Sequence, residues 1–216
     1  MPLELCPADG SDARRAAEIE STAYAPNPFY KILFPGPFPP EALHGRAQQL
    51  LAELKGDSST RWFKVVDTDL PEGPEQMIAF AKWHIYSETP KPTPTPRTFG
   101  AGCNAEACEL LFGGITKQRV RILGDGPYFF LSLLHTDPKH QGRGAGGMLT
   151  EWGVQEARKH NMIAYLESSE SGHSLYKKCG FRDVECLSID MSKWGATEKH
   201  TTWSMICDAS ETAAAA

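Results

Sequence analysis

The chain reads Tyr128-Phe129-Phe130-Leu131-Ser132-Leu133-Leu134-His135, meets Pro138, and then continues Gln141-Gly142-Arg143-Gly144-Ala145-Gly146-Gly147 into a helical pattern. The first run is apolar at nearly every position, as in a strand covered on both faces inside a sheet. Beyond the glycines, Met148, Leu149, Trp152 and Ala157 fall on one helical face, while Glu151, Gln155, Arg158 and Lys159 point elsewhere. Strand, glycine loop and helix follow one another without interruption. A second strand, a short helix and a turn then carry the pattern to Phe181.

Glycines at a helix start have a physical use. The first turn leaves four backbone N–H groups unpaired, and the helix dipole places partial positive charge there. A diphosphate approaches that backbone closely only where side chains are absent. Gly142, Gly144 and Gly146 therefore read as an anion cradle, with Arg143 adding charge at its rim. An isolated glycine run would be a plain connector; the flanking strand and helix favour the cradle.

Two nucleotide-binding patterns compete for this loop. A P-loop fails, because no Lys-Ser or Lys-Thr pair follows the glycines. Gly142, Gly144 and Gly147 do satisfy G-x-G-x-x-G, and Glu167 ends the next expected strand, where a ribose-binding acid would stand. In that arrangement, however, the strand passes almost directly into the first glycine, whereas Thr136 to Gln141 intervene here. Too little chain follows Glu167 to complete a doubly wound sheet, so a dinucleotide-dependent oxidoreductase ranks behind.

Gln141-x-x-Gly144-x-Gly146 after a strand and a proline resembles the acetyl-coenzyme A signature of the GNAT superfamily of N-acyltransferases. Leu175-Tyr176-Lys177-Lys178-Cys179-Gly180-Phe181 is similar to that family's Tyr-x-x-x-Gly-Phe segment, at the usual distance downstream. Within the superfamily, Tyr165-Leu166-Glu167-Ser168-Ser169 looks most like fungal members of unassigned substrate. The resemblance implies an α/β fold: a twisted mixed β-sheet with helices on both faces, forming one domain over residues 1–208. It also implies acetyl-CoA as cosubstrate, bound by Gln141, Gly142, Arg143, Gly144, Ala145, Gly146 and Gly147. Backbone groups of Leu134, His135 and Thr136 would pair with the pantetheine arm like one more strand.

Composition narrows the rest. A chain of 216 residues that is 41% hydrophobic can bury one sizeable core. A net charge of −5 argues against nucleic acid as a partner and suits amines or other cations, with the acceptor amine on a small molecule or on a protein. No apolar run approaches the ~20 residues of a membrane helix, and Met1 to Asp9 is too polar for a secretory signal. The expectation is a cytoplasmic protein, with the nucleus also open to it, acting as a monomer or homodimer. Six scattered cysteines without a Cys-x-x-Cys pair read as free thiols. Cys103 and Cys108 lack a second ligand pair, so no metal is expected.

Elsewhere the pattern predicts a strand at Leu3 to Pro7 and helices from Ser11 to Tyr24 and Glu41 to Lys55. A hairpin of Trp62 to Val66 with Met77 to Tyr86 follows, and closing strands at Val184 to Met191 and His200 to Cys207. The proline-broken run Phe29, Tyr30, Ile32, Leu33, Phe34 and Phe38 either roofs the core or, as the resemblance implies for this connection, lines the acceptor site. Residues 87–126 read as a Pro-rich insertion, a surface excursion or a lid, with a helix beginning near Asn104. Residues 209–216 read as a disordered tail, and His84 as an exposed strand residue.

For chemistry, an amine attacks a thioester only when deprotonated, and the leaving thiolate is helped by a proton. The resemblance assigns the acid to Tyr176. Phe130 stands where several family members carry a Glu or His base, and it cannot take a proton. Glu167 is the best substitute, ahead of His135 and Asp137, while a solvent or Ser132-bound water route needs none of them. A Glu167 that only binds ribose or caps a turn stays open, as does an acyl-CoA sensor without catalysis.

Overall fold

The computed structural model describes residues 2–87 and 98–209. Seven strands form one mixed sheet in the order β1-β2-β3-β4-β5-β7-β6. They are β1 (Leu3–Pro7), β2 (Thr60–Asp67), β3 (Met77–Tyr86), β4 (Tyr128–Thr136), β5 (Ile163–Ser168), β6 (Arg182–Ile189) and β7 (His200–Cys207). Neighbours run antiparallel except β4 and β5, which are parallel. That pair needs a crossover, supplied by the helix α6 (Ala145–Lys159). The last strand, β7, returns between β5 and β6, so β6 becomes an edge.

Helices cover both faces, and the period of two along β4 assigns its residues between them. Phe129 and Leu131 pack with Trp83, Ala164, Leu166 and Met205 under Leu149 and Val154 of α6 and Tyr176 of α7 (Glu170–Lys178). On the other face, Trp62, Met77 and Phe80 meet α1 (Ala13–Tyr24) and α3 (Ala42–Gly56). Farther along that face Tyr128, Phe130 and Tyr165 meet Ile122 and Leu123 of α5 (Gly114–Leu123). The apolar run of β4 is thus explained by burial on two sides.

Most of residues 98–126 are helical. Asn104 caps a short helix, α4 (Ala105–Cys108), by accepting from the Ala107 N–H. The chain then passes through one wide turn into α5, where Ile115 and Gln118 are buried. Between α1 and α3 lies a single-turn helix, Tyr30–Leu33. Residues 88–97, with the alternating prolines, and the tail from 210 lie outside the described residues. No helix among the described residues is long and apolar enough to cross a membrane.

The feature that shapes the molecule is a fork. β3 stays paired with β4 as far as Thr136, whereas β5 leaves β4 after Leu131↔Leu166. A β-bulge sits at the same level, because Lys82 faces Leu133 and Trp83 faces Leu131, leaving Ser132 as the extra residue. Its hydroxyl donates to the Lys82 carbonyl at 3.1 Å.

Trp83 fixes α6 against the sheet beside this fork. It is fully buried, and its indole N–H donates to the Leu149 carbonyl at 3.2 Å. Gly153 makes room for it, since a Cβ there would lie 2.1 Å from the indole. Gly153→Ala should therefore destabilise the protein by about 1–3 kcal/mol through overpacking, overriding the ~1 kcal/mol gain in helix propensity. Chemical denaturation that found the variant equal to or more stable than the parent would refute this packing account.

Candidate active site

The glycine loop is anchored before it begins. Arg15 of α1, itself buried, donates from Nη2 to Asp137 at 2.7 Å and from Nε to the Met77 carbonyl. Asp137 in turn accepts from the Lys139 N–H and closes the proline turn. Gly142 and Gly144 have φ of +77° and +94°, a region costly for any residue with a Cβ. Gly144 is the residue before α6, and no side chain caps that helix. The N–H groups of Ala145, Gly146 and Gly147 thus lack partners within the helix.

A Cβ at Gly142 or Gly144 would meet nothing within 4 Å, so the space above the loop is open. At Gly146 a Cβ would lie 3.0 Å from Leu175, which brings α6 and α7 close together. The loop therefore fits an anionic diphosphate, with uncapped N–H groups below an open cradle. Arg143 is less free than a rim charge, since it donates to Asp67 at 2.6 Å and lies 3.1 Å from His140 Nδ1. Gln141 donates to the Thr136 carbonyl at 3.3 Å and ties the loop back to the strand.

Beyond the fork β4 has one edge without a strand partner. The Asp137 N–H donates to Ile78 of β3, and alternation turns the backbone of His135 the same way. Leu134 and Thr136 consequently present their backbone groups to the gap. His135 differs from these two, because its backbone faces β3 and its ring projects onto the face covered by α1.

Tyr176 lies on the α6 and α7 side of the fork. Its ring packs edge-on against Phe181, with centroids 6.1 Å apart, and fits against Gly172, where a Cβ would lie 2.9 Å away. Burial, followed by the nearby Tyr24, pushes its phenol well above the ordinary tyrosine value. The phenol therefore keeps its proton at neutral pH.

Glu167 is the first β5 residue past the fork and faces the opposite side. Arg119 of α5 donates from Nη1 to its Oε1 at 2.9 Å and lies 4.3 Å above the Phe130 ring. The Tyr165 phenol bonds to the same carboxylate and lies 2.9 Å from Ser204 Oγ, which donates to Gln118 at 3.2 Å. Arg119 was beyond reach of sequence reasoning, because α5 shows only a weak apolar period after a run of prolines. Its one visible signal was a basic residue in a segment with buried Ile115 four residues before.

The same face holds further ion pairs. Arg46 grips Glu20 with Nε and Nη2 at 2.7 and 2.9 Å, and Lys82 donates to Glu53. Burial opposes the charge on Glu20, yet Arg46 prevails and holds the carboxyl below its usual range. His84, expected to be exposed, is buried, because its strand face is covered by α3 and the following turn. Its Nδ1 lies 3.2 Å from Asp57 and its ring stacks on Tyr86 and Phe130. The proline-broken segment supplies a wall in which Tyr24 stacks on Tyr30 and Tyr30 packs on Phe34. All six cysteines are free, and no group of three or more metal-binding side chains occurs among the described residues.

His135 Nε2 is buried without a hydrogen-bond partner, 3.8 Å from Glu20. Burial pushes its pKa down to about 4 from 6.5, against the pull of Glu20. The folded state thus binds this proton more weakly than the unfolded chain. Stability is full above pH 6.5 and is lost as pH falls toward 4, by on the order of 3 kcal/mol for this group. His135→Gln should flatten the melting-temperature profile between those pH values. Parallel profiles for variant and parent would assign the titration to another group.

Comparison with known proteins agrees with this geometry. The model of the acetyltransferase (GNAT) family matches residues 71–181. No curated protein matches the sequence significantly. A solved Corynebacterium glutamicum structure, described as histone acetyltransferase HPA2 and related acetyltransferase, is 17% identical with TM-score 0.63, over 98% of this chain and 99% of that one. Arabidopsis thaliana NAA60 with a bisubstrate analogue is 15% identical with TM-score 0.57, over 95% and 97%. It has also been solved with acetyl-CoA. A spermidine N-acetyltransferase chimera from Vibrio cholerae is 15% identical with TM-score 0.53, over 97% of each chain. With its family motifs at the loop and fork, the chain belongs to the acetyltransferase (GNAT) family and is an acyltransferase.

Proposed function

We propose that the protein transfers the acetyl group of acetyl-CoA to a primary amine of a small molecule by direct attack on the thioester. The observation that carries this reading is the fork itself, with an open anion cradle at one end and Tyr176 and Glu167 on its two sides. The diphosphate would rest on the N–H groups from Gly142 to Gly147. The pantetheine amides would bond to Leu134 and Thr136, completing the edge that β5 leaves unpaired. Binding of acetyl-CoA by NAA60 and the spermidine activity named for the Vibrio chimera support the cosubstrate and the amine class.

In this reading Glu167 takes the proton of the incoming ammonium group. The freed nitrogen attacks the acetyl carbon, the C–S bond breaks, Tyr176 protonates the departing thiolate, and the nitrogen loses its second proton to solvent as the amide forms. Phe130 supplies no base, so the duty moves one strand over to the first residue past the fork. Arg119 and Tyr165 hold that carboxylate in place.

Gly144→Val tests the cradle. The side chain would fill open space and force a strained φ at the residue before α6, so acetyl-CoA affinity should fall roughly 100-fold, the equivalent of two charge-assisted bonds. Calorimetry showing undiminished affinity in a folded variant would remove the loop from coenzyme binding. Tyr176→Phe tests the acid: kcat should drop ~10²- to 10⁴-fold with little change in KM for acetyl-CoA. Equal kcat for variant and parent, read by thiol release, would exclude Tyr176 from proton transfer.

A further inference from the structure

On the acceptor side of the fork three ion pairs match their charges, while Asp57 faces a His84 that burial keeps neutral. Arg46 is matched with Glu20, Lys82 with Glu53, and Arg119 with Glu167. A site for a polyamine needs carboxylates in excess, because each added ammonium group has to be compensated. Here each of these carboxylates already has a cation of its own.

Arg119 is held differently from Arg46. Arg46 covers both oxygens of Glu20, whereas Arg119 gives Nη1 alone to Glu167. Among the described residues its guanidinium makes no other hydrogen bond, and its flat face rests on Phe130. Both Arg119 and Glu167 keep 13% exposure, so the pair has an accessible edge. A guanidinium has five N–H donors, and a planar carboxylate is its best-matched partner. Phe130, on which the guanidinium lies, is one residue before the last β4–β5 pair, and Glu167 is one residue after it.

We propose that the acceptor is an amino-carboxylate and that Arg119 binds its carboxylate while Glu167 receives its ammonium group. This rests on the acetyl-transfer reading above. The four charges then alternate around a square: arginine, substrate carboxylate, substrate ammonium, glutamate. The acceptor's carboxylate draws on Arg119 donors that Glu167 does not use, so the existing ion pair is extended rather than broken. The ammonium group gives one proton to Glu167, its nitrogen attacks the acetyl carbon, and the C–S bond breaks. The nitrogen loses a second proton as the amide forms, Tyr176 protonates the thiolate, and one net proton goes to solvent.

The test is a thiol-release assay with acetyl-CoA and L-amino and ω-amino acids, each beside its methyl ester and its decarboxylated amine. One or more acids should show kcat/KM roughly 10- to 100-fold above both partners that lack the carboxylate, the worth of a charge-assisted pair. An ester's amine is the less basic and so more fully deprotonated near neutral pH, which means a preference for the acid runs against the supply of free amine. Arg119→Gln should lower kcat for acid and ester alike through its hold on Glu167 but raise KM for the acid alone, by a similar factor, and Arg119→Lys should recover part of that loss in KM. Esters or amines used as well as the acids, or no acid used while acetyl-CoA binds, would overturn the assignment without any variant. Arg119→Gln raising KM for acid and ester by the same factor would overturn it too. Calorimetry with acetyl-CoA separates the two levels: a wild type that does not bind it sinks the catalytic reading, whereas coenzyme binding with no preference for acids sinks only this one.

Discussion

The rest of the molecule depends on the early parting of two parallel strands. A buried strand edge must satisfy its N–H and C=O groups, and β4 beyond Leu131 has no strand on one side to do so. Leaving such an edge inside a folded domain is costly unless a ligand or water completes it. The Ser132 bulge and the crossover through α6 maintain the gap. Trp83 locks α6 in place by filling the space that Gly153 leaves. The gap is therefore a consequence of core packing on the α6 face, and the chemistry borrows it.

On either side of the gap the chain solves different electrostatic problems. Toward α6 the need is for uncompensated positive potential, met by backbone N–H groups and glycines instead of by lysines. Backbone dipoles keep a fixed direction and cost no side-chain entropy. Toward α1, α3 and α5 the charges are full and mutually paired, and burial of each is tolerated because its partner is within hydrogen-bond reach. Such pairs tie α3 and α5 to one sheet face and α1 to α3.

The segment after the prolines shows how a surface of this kind is assembled. α5 holds to the sheet through Ile115, Ile122 and Leu123 together with the polar Gln118 and Arg119. Polar groups can anchor a helix only where the facing strand offers matching partners, here Ser204 and Glu167. Neither side of that match has meaning without the other.

Much was legible from local pattern. The double-faced apolar run of β4, the positive-φ glycines before α6 and the Tyr176 segment each carry their geometry in consecutive residues, because backbone sterics and helix periodicity act over a few positions. The alternation of the closing strands and the apolar period of α3 were readable for the same reason. What sequence could not supply were relations between distant residues. The burial of His84, the diversion of Arg143 to Asp67, the opposite facing of His135 from its neighbours and the pairing of Arg119 with Glu167 all depend on which strands stand side by side. Side-chain partners separated by tens of residues meet only once sheet order and register are set, and that is a property of the tertiary packing.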